Sequence, residues 1–210
     1  MVDGQIRTFD VTNHPVLDRF YEVPRELFVD DKLVTLAYSD GPLTLAGTPP
    51  RQLLPPMVLA RMMEAAQIKP GDRVLDVGGG NGYSAAILSG LAAKVVALES
   101  SPERCDLARK ALQAAGISNV ECVSGALVEG YVKGGRYDVI LLNGAYGAEP
   151  AKLLGQLAQG GRLVAIHDNG SSGSSAILLQ NNEHIIGQRL LFNAKAPVLE
   201  GFANAPAFVF

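Results

Sequence analysis

Val74-Leu75-Asp76-Val77-Gly78-Gly79-Gly80-Asn81-Gly82-Tyr83 decides the fold of this chain. Apolar, strand-like residues around Asp76 run straight into Gly78, Gly80 and Gly82. A helix-like segment over residues 84–91 follows, then a second apolar run, Val95-Val96-Ala97-Leu98, that ends in Glu99. The order is strand, glycine-rich turn, helix, strand, acid. Glycines in such a turn let backbone approach a ligand closely. An acid at the tip of the second strand, roughly twenty residues on, accepts hydrogen bonds from both ribose hydroxyls of a nucleoside. The spacing is not that of a dinucleotide site. G-x-G-x-x-G counted from Gly78 puts its third glycine at Tyr83.

Composition narrows the function classes. The chain has 210 residues, enough for one generous domain or a domain plus an extension. Charged residues are only 19% and hydrophobic residues 48%, which argues for a packed core and against disorder. A net charge of −3 without a Lys/Arg cluster disfavours a nucleic-acid partner. Cys105 and Cys122 do not form a C-x-x-C pair and read as buried thiols of a reduced, cytoplasmic protein. No long apolar run predicts a membrane span, the first residues do not resemble a secretion signal, and no His/Cys/Asp/Glu spacing suggests a metal.

Working outward, residues 1–57 read as an N-terminal extension and 58–210 as the nucleoside-binding unit, the whole forming one compact body. Asn13-His14-Pro15 is a helix start, and Pro24 ends that helix. Residues 37–56 carry so many Gly and Pro that neither a helix nor a long strand fits, and they read as a substrate-side loop. Residues 56–68 predict a helix, and Ser101-Pro102 caps another that runs to Ala115. Strands are expected at 119–124, 137–142 and 162–166, with a helix over 148–158 closed by Gly160-Gly161. Residues 176–180 and 185–192 form a hairpin, and 207–210 add a last strand. Alternating strands and helices imply an α/β fold of Rossmann type, a mostly parallel sheet with an antiparallel C-terminal hairpin strand. Its ligand belongs beyond the carboxyl ends of the strands.

The G-x-G-x-G spacing after Asp76 resembles the first motif of S-adenosylmethionine-dependent methyltransferases. Further segments resemble the protein-L-isoaspartate O-methyltransferase family: Val23-Pro24-Arg25-Glu26-Leu27-Phe28-Val29, Ala37-Tyr38-Ser39-Asp40-Gly41-Pro42-Leu43, Met57-Val58-Leu59-Ala60, Lys69 through Gly78, Tyr137-Asp138-Val139-Ile140, and Gln156 through Val164. They lie in collinear order over residues 5–167. The resemblance implies S-adenosyl-L-methionine as cofactor, a methyltransferase fold, and protein repair by methylation of a carboxylate. It implies cofactor contacts from Asp76, Gly78, Gly80, Asn81, Gly82, Glu99, Ser100, Gly125, Ala126 and Asn143.

The departures bear on chemistry. Leu54 stands where the family carries the serine of an Ile-Ser-x-Pro segment, and Met57 stands where it has an aromatic or histidine. Ala126 replaces the acid that would contact adenine, and Asn143 replaces a threonine. A carboxylate acceptor is already ionised at neutral pH, so it needs orientation rather than a base. Thr48 and Arg51, in the loop before Leu54, are the candidates to orient it, Arg51 bidentately. Asn143 is the candidate to face the transferred methyl group or the acceptor. The altered 53–57 segment also permits a different small-molecule acceptor, or a homologue that binds the nucleoside without catalysis.

Overall fold

A computed structural model describes residues 1–170, 173–183 and 185–204. A seven-stranded sheet runs in the order β5-β4-β3-β6-β7-β8-β9. Its strands are β3 (Arg73–Val77), β4 (Lys94–Glu99), β5 (Val120–Ser124), β6 (Tyr137–Tyr146), β7 (Leu157–Asp168), β8 (Ser174–Asn182) and β9 (Ile185–Asn193). Every neighbouring pair is parallel except those made by β8, which alone runs against the rest. The chain builds outward from β3 to β5, then returns to lay β6 on the other side of β3. That reversal opens a crevice at the carboxyl ends of β3 and β6.

Residues alternate between two cores. Val74, Val95, Ala97, Val139 and Leu141 face one, while Leu75, Val96, Leu98, Ile140 and Leu142 face the other. This period of two, apolar on both faces, is what a covered parallel sheet requires. The first face is covered by α1 (His14–Glu22), α2 (Pro56–Ala66), α3 (Tyr83–Leu88) and α4 (Pro102–Ala114). Asn13 caps α1 by accepting from the Val16 N–H (3.2 Å), and Ser101 caps α4 through the Arg104 N–H (3.3 Å). The extension has no core of its own. Ile6, Phe20 and Phe28 pack in the same cluster as Val74, Ile87 and Leu112.

One expectation changes. The helix over 148–158 is one turn, α5 (Ala151–Leu154). Gly155 weakens its continuation, and the Tyr137 N–H takes the Gln156 carbonyl (2.9 Å), drawing the fully buried Leu157 into the sheet. Gly160-Gly161 therefore lies inside β7, where Gly160 at φ +72° accommodates the extra residues between the Tyr137↔Leu157 and Val139↔Arg162 pairs. The stretch 37–56 holds a small antiparallel hairpin, β1 (Leu43–Leu45) and β2 (Arg51–Leu53), folded down on the glycine loop. The strand expected at 207–210 and the hairpin-tip residue His184 lie outside the described residues. Among the described residues no helix is long and apolar enough to cross a membrane.

Candidate active site

The glycine loop joins β3 to α3 and is held from beneath by Asp76. Its carboxylate is buried and accepts from Ser84 Oγ (2.7 Å) on α3 and from Asn143 Nδ2 (2.7 Å) on β6. Asn143 also donates to the Val77 carbonyl (3.2 Å). A register shift between Leu141 and Ala145 puts it there, inside β6 rather than at the strand tip. Asp76 thus ties together the two strands that flank the crevice.

Burial pushes the Asp76 carboxyl up to about 7; the bonds from Ser84 and Asn143 oppose the shift, and the charge of Glu99 adds to it. An unfolded aspartate titrates near 3.9. Between about pH 4 and 7 the folded protein therefore holds a proton that the unfolded chain releases, so stability falls as pH rises through that window. Asp76→Asn, whose amide oxygen can accept from Asn143 while its nitrogen donates to Ser84 Oγ, removes the dependence. Its melting temperature relative to the parent should climb by roughly 5 °C between pH 5 and 8. Parallel melting curves for the two proteins across that range would refute the assignment.

Glu99, at the end of β4, is also buried. It accepts from the Gly80 N–H (2.5 Å) and the Ser100 N–H (3.1 Å), so it points into the turn. Gly80 itself sits at φ +69°, and a Cβ there would meet Leu45 Cδ1 at 2.9 Å. Gly125 donates its N–H to the Glu99 carbonyl (2.9 Å), which sets the 124–126 turn beside Glu99, and Ala126 is exposed. Asn81 is buried with its Oδ1 unpartnered among the described residues.

The proposed acceptor residues are placed otherwise. Thr48 is exposed in the turn of the hairpin. Arg51 is buried, and its guanidinium lies across Glu99: Nε reaches both carboxylate oxygens (3.2 and 3.1 Å) and Nη2 lies 3.0 Å from Oε2. Nη1 and Nη2 also bond Glu200 (2.5 and 3.0 Å), and Nη2 bonds Ser100 Oγ (3.1 Å). Burial, the largest single influence, raises the Glu200 carboxyl, but the hydrogen bond and charge of Arg51, with bonds from its own backbone and from Ser100, together outweigh it and the net shift is down. Arg51 is therefore paired to acids of the chain itself rather than open to an acceptor.

Other arginines pin the same hairpin. Arg104 donates to the carbonyls of Ala46 (3.1 Å) and Pro49 (2.6 Å), and Arg25 donates to that of Leu54 (3.1 Å). Asp30 accepts from the Ala46 N–H (2.8 Å). The two cavities left along the glycine loop measure about 10 Å³ each. That is room for a water, not a nucleoside. Arg25, Arg104, Ser84 and Glu200 were not among the expected site residues. Only Arg25 carried a signal, as part of the 23–29 segment.

The chain is similar to known proteins over most of its length. The family model for protein-L-isoaspartate(D-aspartate) O-methyltransferase matches residues 2–191. A protein-L-isoaspartate O-methyltransferase of Methanoculleus marisnigri is 41% identical over 165 residues, covering 79% of this chain and 74% of that protein. One of Koribacter versatilis is also 41% identical, over 78% of this chain and 73% of its own. A solved protein-L-isoaspartate O-methyltransferase superposes with a TM-score of 0.83 at 27% identity; the match covers 93% of this chain but 63%, less than two thirds, of that one. A Plasmodium falciparum structure, crystallised with S-adenosyl-L-homocysteine, shares the fold at a TM-score of 0.76 and 17% identity.

Proposed function

This chain belongs to the protein-L-isoaspartate(D-aspartate) O-methyltransferase family, whose methyl donor is S-adenosylmethionine, and we propose that it transfers a methyl group from that donor to a carboxylate on a peptide or protein. The observation that carries the reading is Glu99, a buried carboxylate facing the Gly80 N–H at the mouth of the crevice. The residues suit the donor. Glu99 takes the ribose hydroxyls, the backbone of Gly78–Gly82 borders the amino-acid arm, and Ser100, Gly125 and Ala126 flank the base. Asp76 and Asn143 hold the loop from below. When bound, the donor supplies a methyl group on a positively charged sulfur.

The space is a separate matter, because Leu45 and Arg51 lie over Gly80. Entry of the donor requires the hairpin to lift and Arg51 to release Glu99. Closing the hairpin over both substrates would then exclude water and hold acceptor and sulfonium in line. The acceptor carboxylate needs no proton removed. The chain works in the cytoplasm in this reading, and its partner is a peptide or protein bearing a damaged aspartyl residue.

A second reading is favoured by Leu54. Its side chain is buried, so the position of the family's serine offers no hydroxyl. In that reading the acceptor is a different molecule, one that needs no hydroxyl at this position.

Calorimetry with S-adenosylhomocysteine tests the donor assignment. The parent should bind it, and Arg51→Gln/Glu99→Gln should bind at least about tenfold more weakly than Arg51→Gln, in which Glu99 is already released, the effect of losing a charge-assisted hydrogen bond. Equal affinities would remove Glu99 from the site. Binding of NAD in place of S-adenosylhomocysteine would overturn the cofactor class.

A further inference from the structure

Arg25 is fully buried, yet no carboxylate among the described residues pairs with it. Burial pushes its guanidinium pKa down, and the titratable neighbours that act against this are Tyr83 and Tyr38. Arg104, the other buried arginine near the hairpin without an ion pair, at least lies within the field of Glu99, Glu200 and Asp30. The Arg25 guanidinium stands 4.5 Å above the Tyr83 ring centroid, and among the described residues its one well-formed hydrogen bond is from Nη2 to the Leu54 carbonyl. The guanidinium and the Tyr83 hydroxyl lie close enough to influence each other, but Nε, Nη1 and that hydroxyl are buried with no hydrogen bond of good geometry among the described residues, and a neutral phenol supplies no counter-charge.

Arg25 and Tyr83 line the same small cavity, whose other walls include Leu54, Gly79, Ser84 and Asn143. A water there would satisfy a donor but would leave the charge uncompensated, which is strongly unfavourable in a dry interior. The planar guanidinium fork matches a carboxylate. Leu54, at the position of the family's serine, and Asn143, inside β6, line the same cavity.

We infer that Arg25, with the Tyr83 hydroxyl, binds the carboxylate of the methyl acceptor in the space that opens when residues 52–54 lift. The ligand's identity rests on the function proposed above; the vacancy of the guanidinium does not. Arg51, the arginine favoured for this role by its place in the loop, is occupied by Glu99 and Glu200.

The probe is formate at 100 mM, against its neutral counterpart formamide, with chloride holding ionic strength constant. Formate should raise the parent's melting temperature by about 3 °C over formamide, saturably. Arg25→Met, which keeps the apolar volume, should abolish the difference, and Tyr83→Phe should reduce it. Equal melting in formate and formamide for the parent, or a formate effect that survives in folded Arg25→Met, overturns the site. Binding of S-adenosylhomocysteine and of 5′-methylthioadenosine, which lacks a carboxylate, separates the two sources. If Arg25→Met weakens only the former, the occupant is the donor's carboxylate and the acceptor assignment falls. If formate stabilises the parent through Arg25 but no carboxylate is ever methylated, the site stands and the proposed function fails.

Discussion

Arg51→Gln is expected to destabilise the free protein by about 3–5 kcal/mol while tightening S-adenosylhomocysteine at least about tenfold. Both effects come from one interaction. Arg51 and Glu99 are each almost wholly buried, with side chains 3% and 4% exposed. Removing the arginine leaves Glu99 charged in a dry place with only the Gly80 and Ser100 N–H groups for company. Glu200, at 38% exposed, rehydrates and adds little. The melting temperature should fall by about 10 °C. Arg51→Gln combined with Glu99→Gln should recover most of that, because no charge is then stranded. Affinity moves the other way because the parent must first break the Arg51–Glu99 pair, so its competent state is a minor population. A variant with parental stability and parental affinity would mean that the arginine does not hold the hairpin shut.

Leu54→Ser is expected to raise methyl transfer to an isoaspartyl peptide by about 30-fold to a thousandfold, from a weak or absent starting rate. A positioning hydroxyl at a reacting centre contributes about 2–4 kcal/mol of transition-state stabilisation, by analogy with one oxyanion donor. The parent has none at this position, since Leu54 is 3% exposed and buries an apolar side chain there. The variant also loses core packing, about 2–5 kcal/mol for a large-to-small change at a site that cannot collapse, so rates must be compared below its melting temperature. A radiolabel transfer assay measures the change. If the parent already turns over at about 1 per second or faster, another group does the serine's work. If both proteins bind the donor and neither methylates the peptide, the acceptor is of a different kind.

What could be read from the chain was local. The β3–loop–α3–β4 unit announces itself within 26 residues, because two short apolar runs, glycines at a sharp turn and a terminal acid need no distant partner. The Asn13 and Ser101 caps were legible for the same reason. What failed depended on tertiary pairing. The 148–158 helix gave way to Leu157, whose place in the second core depends on Tyr137 across the sheet. The partners of Arg51 were not legible, since its acids lie 48 and 149 residues along the chain. The isolation of Arg25 cannot be seen in sequence at all. A missing counter-ion is a property of packing.

A crystal structure determined with S-adenosylhomocysteine present is the decisive measurement. The ribose hydroxyls should lie on the Glu99 carboxylate at about 2.5–2.7 Å, the distance of a charge-assisted O–H···O bond, with Arg51 released and β1–β2 displaced from Gly80. A ligand bound elsewhere, with the Arg51–Glu99 pair intact, would contradict this.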